Sequence, residues 1–132
     1  LSRVFLFNMT HTIIVPGNAM SKKNSKNIVW VDGSPRIISS KAHNEWAKDA
    51  LLVLKTNEMV GHPWQYPVRM SFHFVRDSKR KFDYNNLTQG CTDLLQLSGI
   101  IEDDDMNHVI PGPDFSWSID KADPKTIITI ET

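Results

Sequence analysis

Hydrophobic and polar positions along the chain fall into short alternating runs separated by two longer stretches of helical period. H-T-I-I-V at 11–15 is β-branched and stops at Pro16-Gly17, so it reads as a strand closed by a turn pair. I-V-W-V (28–31) and R-I-I (36–38) flank D-G-S-P, which is hairpin turn chemistry. Ser39 or Ser40 then caps a helix expected to run to about Lys55, with Ala42, Trp46, Ala50, Val53 and Leu54 as its apolar stripe. The prolines of G-H-P-W-Q-Y-P (61–67) end it and leave His62 in solvent. In V-R-M-S-F-H-F-V (68–75), Val68, Met70, Phe72 and Phe74 alternate with Arg69, Ser71 and His73, the pattern of a half-buried strand with His73 on its polar face.

Beyond Phe82 the period lengthens. Leu87, Cys91, Leu94 and Leu95 stand at i, i+4, i+7 and i+8, an amphipathic helix with Asn85 or Asn86 as N-cap and Gly99 at its end. Asn85 or Asn86, Gln89 and Asp93 share its polar stripe, and Asp83 lies just ahead of its N-terminus, where the dipole favours anions. Strands at 115–119 and 126–131 follow, with Pro111-Gly112-Pro113 breaking or bulging the entry and K-A-D-P-K as the turn between them. The order β, hairpin, α, β, α, β, β, without repeats or linkers, specifies a single α+β domain over residues 9–132. Residues 1–8 read as an upstream extension or an expression remnant, an edge strand being the alternative.

Composition narrows the class. With 132 residues, 40% of them hydrophobic and 23% charged, the chain has the make-up of one globular domain. Its one cysteine, Cys91, cannot form an internal disulfide or a Cys-rich zinc site, which points to a reducing cytoplasm. The apolar run at 4–7 is too short to span a bilayer, so no membrane role is expected. Net charge is zero, but residues 21–81 carry 12 Lys and Arg against 5 Asp and Glu, and residues 82–132 carry 2 against 10. The halves are electrically opposite, which suits a polyanion site, two solvated surfaces or self-association.

Candidate chemistry concentrates at 76–109, where Lys79, Arg80 and Lys81 precede Asp83 and the helix leads to Glu102, Asp103, Asp104 and Asp105. Cations hold phosphates, and carboxylates hold the hard metal ions that activate water for phosphodiester hydrolysis. Asp83 and one or two of Asp103, Asp104 and Asp105 can meet across the intervening helix; a capping aspartate beside a solvated acidic turn is the alternative. Lys22, Lys23 and Lys26, with Asn24 and Ser25, offer further phosphate contacts in a polar loop.

D-x-x-N-L followed by D-L-L-Q-L-S-G-I-I-E-D-D resembles the RusA-type Holliday junction resolvases, whose motif reads roughly D-x-D-N-L-x-K and then D-x-L-x-x-x-G-x-x-x-D-D. The likeness extends over nearly everything after Met9: an early strand with a Pro-Gly turn, the S-K-K-N-S-K loop, a helix, a strand, the motif and the terminal strands. It implies a mixed β-sheet packed with two main helices. It also implies a homodimeric phage or prophage endodeoxyribonuclease that uses Mg²⁺, or Mn²⁺, to make paired nicks in four-way junctions during DNA recombination and repair. Its three metal-binding aspartates fall on Asp83, Asn85 and Asp104, with Asp103 adjacent, and its DNA-contacting lysine falls on Gln89. Lys79, Arg80 and Lys81 stand where the family carries cations. Asn85 and Gln89 each lack the charge of the family pattern. The expectations are therefore an active junction nuclease, a catalytically weak branched-DNA binder of the same fold, or a dimeric protein-interaction scaffold.

Overall fold

A computed structural model describes residues 7–20 and 26–132. In chain order its elements are β1 (Thr10–Pro16), β2 (Lys26–Val31), β3 (Ser34–Ser39), α1 (Lys41–Leu54), β4 (Val68–Arg76), α2 (Tyr84–Ser98), β5 (Val109–Ile119) and β6 (Lys125–Glu131). The strand with the clearest alternation, β4, became an inner strand: it pairs antiparallel with β6 on one side and parallel with β5 on the other. β1 adds antiparallel to the far side of β6, giving a mixed four-stranded sheet of order β1-β6-β4-β5. The β2–β3 hairpin is a separate two-stranded sheet, turning at Asp32 and Gly33 with φ of 51° and 77°, the geometry of a two-residue loop.

Both helices contribute to one core with the sheet. Trp46, Ala50 and Leu54 of α1 and Leu87, Cys91, Leu94 and Leu95 of α2 meet Val68, Met70, Phe72 and Phe74 of β4, Ile128 and Ile130 of β6, and Ile13 and Val15 of β1. Each buried leucine or isoleucine contributes about 1.5–3 kcal/mol relative to exposure. Ser40 caps α1, its hydroxyl accepting from the His43 amide at 3.1 Å. The inward stripe of α1 differs from expectation: His43 is buried, while Ala42 and Val53 face solvent. The row Trp46, Ala50, Leu54 selects His43 one turn back, and its ring packs edge-on against Trp46 at 5.9 Å.

Two other expectations are corrected. The N-cap of α2 is Asp83, not Asn85 or Asn86, and its Oδ1 accepts from the amides of Asn85 (2.9 Å) and Asn86 (3.4 Å). A side-chain oxygen on extended backbone answers two orphan amides at the positive end of the dipole, so the helix starts earlier than expected. β4 is also more than half buried, because Ser71, Val75 and Arg76 are covered as well.

The cover over Ser71 comes from β5, which begins at Val109 and carries its prolines inside the strand. β5 is a sheet edge, and there a residue without an N–H is tolerated. Its register jumps from Met70↔Pro111 to Phe72↔Phe115, so residues 112–114 bulge against Ser71. A Cβ on Gly112 would fall 2.1 Å from Ser71 Oγ and 2.6 Å from the Met70 carbonyl oxygen, so only glycine permits this approach. Residues 1–6 lie outside the described ones. Phe7 and Asn8 are joined to the sheet: Arg69 sits 4.8 Å over the Phe7 ring, and the Asn8 amide donates to the Thr132 carbonyl at 3.1 Å.

Candidate functional site

The start of α2 lies beside the β4–β5 pair, and residues four apart on a helix share a face. Asn85 and Gln89 therefore line one groove of about 350 Å³, floored by Met70 and Phe72 and closed at one side by Asp104. Gln89 Nε2 donates to Asp93 Oδ1 at 2.8 Å and to Asp104 Oδ2 at 3.1 Å. An amide nitrogen carries two hydrogens, so one neutral side chain bridges two carboxyl groups. The structure thus gathers three sequence-predicted residues, Asn85, Gln89 and Asp104, and adds Asp93 at their edge.

Asp83 and Asp103 are deployed differently. Asp83, engaged as the cap, lines another recess, of about 220 Å³, together with Arg76, Arg80 and Lys81. Asp103 Oδ1 accepts from the Asp104 amide at 2.7 Å and from Gln96 Nε2 at 3.4 Å, so it braces the turn. Asp105 accepts from the Asn107 amide at 3.0 Å and contacts His108 Nδ1 at 2.5 Å, and Glu102 lies 3.6 Å from the other ring nitrogen. Across the turn at 102–108 the acids separate: Asp103 meets Gln96, Asp104 meets Gln89, and Glu102 and Asp105 share His108. Among the described residues no three His, Cys, Asp or Glu side chains gather as a metal cluster.

The cations form the third part. Lys79, Arg80 and Lys81 are exposed and line a cleft of about 330 Å³ with Phe82, Tyr84, Phe115 and Trp117. Tyr84 lines both this cleft and the acidic groove, while Arg80, Lys81 and Phe82 line both the cleft and the Asp83 recess. Three recesses are therefore contiguous around the first turn of α2. Arg76, 7% exposed, supports them from below: Nη1 donates to the Ala19 carbonyl, and the guanidinium lies 5.1 Å over the Phe82 ring. Burial lowers its pKa, opposed by Asp77 and Cys91. Lys22 and Lys23, expected at phosphates, lie outside the described residues. His73, on the sheet's other face, contacts Ser116 and Ser118 Oγ at 2.6 and 2.9 Å.

Sequence reasoning missed Arg76, Tyr84, Phe115 and Trp117. A signal was present for the last two, since F-S-W-S-I alternates and puts Phe115, Trp117 and Ile119 on one face. Cys91 is no nucleophile, because burial pushes its thiol up to about 12. The hydrogen bond to Asp105 raises the His108 pKa above its ordinary 6.5. Its stabilising charge is fully present below that value and lost as pH rises through the folded-state pKa. Thermal stability should accordingly fall as pH rises above 6.5, and His108→Gln should flatten that slope in a melting series. An unchanged slope would show that the pair contributes nothing.

Among the described residues no helix is long and apolar enough to cross a membrane. No family model matches the chain, and no curated protein matches it either.

Proposed function

We propose that the chain is a metal-dependent endodeoxyribonuclease of branched DNA, cutting four-way junctions as a cytoplasmic homodimer. One observation carries the reading: Asn85, Gln89 and Asp104 share a groove that meets, through Tyr84, a cleft edged by Lys79, Arg80 and Lys81. Cations beside hard oxygen donors are the combination that holds a phosphodiester and attacks it. The resemblance of this stretch to the RusA-type resolvases adds to it.

The groove's donors fit Mg²⁺ or Mn²⁺ in kind, being the Asp104 carboxylate and the Asn85 carbonyl oxygen, with the Asp93 carboxylate beside them. Such an ion needs few protein ligands, keeps most of its waters, and when bound supplies a more acidic water and neutralises the leaving oxygen. Asp104 and Asn85 would hold it; Gln89, as a neutral donor, keeps Asp93 and Asp104 in register. Asp83 acts through the helix it caps, and Lys79, Arg80 and Lys81 bind flanking phosphates. Two-fold symmetry suits the substrate, because paired sites address opposed strands.

A second reading, a branched-DNA binder that cuts weakly, has its own support: among the described residues only one carboxylate lines the groove itself, and Gln89 already occupies one of its oxygens. A labelled four-way junction and a linear duplex of the same sequence, each with and without Mg²⁺, separate the two. Paired junction nicks that need Mg²⁺ support the enzyme, retention without nicking supports the binder, and equal treatment of junction and duplex overturns both. Replacing Lys79, Arg80 and Lys81 together by alanine should make the log–log salt dependence of junction binding shallower by about 2.7, the value for three phosphate contacts. Unchanged affinity and slope would remove these residues from the interface.

A further inference from the structure

The cleft beside the cations has walls that phosphate binding does not require. Phe115 and Trp117, on the edge strand β5, are 44% and 49% exposed, although large aromatics gain most from burial. They belong to a continuous cluster: Trp117 packs edge-on against Phe82 at 5.8 Å, Tyr84 meets Phe115 at 3.8 Å, and both Tyr84 and Phe115 rest on the fully buried Phe74. The rings are thus held by the core while keeping free surface toward a cleft of about 330 Å³, inside the range of about 300–1,000 Å³ typical of ligand pockets.

We infer that this cleft takes an unpaired nucleotide of the DNA, its base stacked on Trp117 and Phe115 and its phosphates held by Lys79, Arg80 and Lys81. Aromatic faces flanked by cations are the common chemistry of single-strand binding, tolerant of sequence because every base has a π-face. Charge complementarity selects this occupant over a second copy of the chain: three exposed cations at the rim would face their own copies across a two-fold axis. Tyr84 is shared with the acidic groove, so a base stacked here sets an adjoining phosphodiester toward Asp104. A branched substrate suits this arrangement, because bases at a branch point unstack more readily than bases within a duplex.

The inference rests on the DNA reading above but not on cleavage, so its test is run in EDTA. Anisotropy of labelled oligothymidylate and of a labelled duplex is measured for the parent, Trp117→Ala and Trp117→Phe. Trp117→Ala should weaken oligothymidylate binding about tenfold and duplex binding less than twofold, with the salt slope unchanged because no cation is lost, and Trp117→Phe should recover most of the affinity. Photo-cross-linking of 5-iodouracil oligonucleotide to the parent, which involves no variant, should map to Trp117, Phe115 or Tyr84. No single-strand binding by the parent, equal losses for single strand and duplex, or cross-links elsewhere would overturn the inference. A dimer turned monomeric by Trp117→Ala at unchanged DNA affinity would overturn it in favour of self-association. If the protein cuts no DNA but passes these tests, the nuclease reading fails alone; if it cuts junctions and Trp117→Ala binds as the parent does, this inference fails alone.

Discussion

If the proposed nuclease reading holds, Asp104→Asn should lower Mg²⁺-dependent junction cleavage at least about a hundredfold while leaving junction affinity in EDTA within about twofold of the parent. The magnitude follows from the groove, because among the described residues Asp104 is the one carboxylate that lines it, flanked by the neutral Asn85 and Gln89. Loss of a supporting side chain around a metal typically costs about 10–100-fold, and loss of a ligand more. The substitution keeps size and one acceptor oxygen, so the hydrogen bond from Gln89, now 3.1 Å, can persist, and the cation lip is untouched. Single-turnover cleavage beside a binding titration measures both quantities. Cleavage at the parental rate would move the reaction out of this groove. The reciprocal change, Asn85→Asp, restores a charge on the same wall and should speed cleavage and lower the Mg²⁺ concentration needed. A slower enzyme would show that Asn85 does not touch the ion.

The second large effect is on folding. Gly112→Ala places a methyl 2.1 Å from Ser71 Oγ and 2.6 Å from the Met70 carbonyl oxygen, on the inner strand of the sheet. A side-chain oxygen can rotate away, but a ladder carbonyl cannot move without disturbing its strand. The cost is put at about 3 kcal/mol, the upper part of the range for overpacked cores. For a domain of this length that is about 10 °C in melting temperature, out of a total stability of about 5–15 kcal/mol. Adding Ser71→Ala should recover only part of the loss, because the Met70 contact remains. A melting temperature equal to the parent's would mean that the bulge yields freely.

Both predictions concern residues whose types, but not whose surroundings, could be read from the chain. The 34 residues at 76–109 do contain the groove's polar side chains, and the i, i+4 spacing of Asn85 and Gln89 put them on one stripe. The same spacing could not tell which acid of Glu102, Asp103, Asp104 and Asp105 faces that stripe. Rotation by one residue in a tight turn redirects a side chain completely, and the outcome depends on what the turn packs against. Asp83 shows the same limit from the other side: its place before the helix was legible, but its part as the cap follows from where the first amides point.

Element order, the hairpin turn at Asp32-Gly33, the apolar row of α2 and the α+β class were determined by the sequence itself, because each depends on neighbours a few residues away. Tertiary structure decided that β4 and β5 run parallel, that prolines are tolerated on an edge, and that the aromatics of β5 stand over cations some 35 positions earlier in the chain. Those outcomes rest on which apolar faces bury against each other. That choice is made by the whole core at once, and no local run of residues carries it.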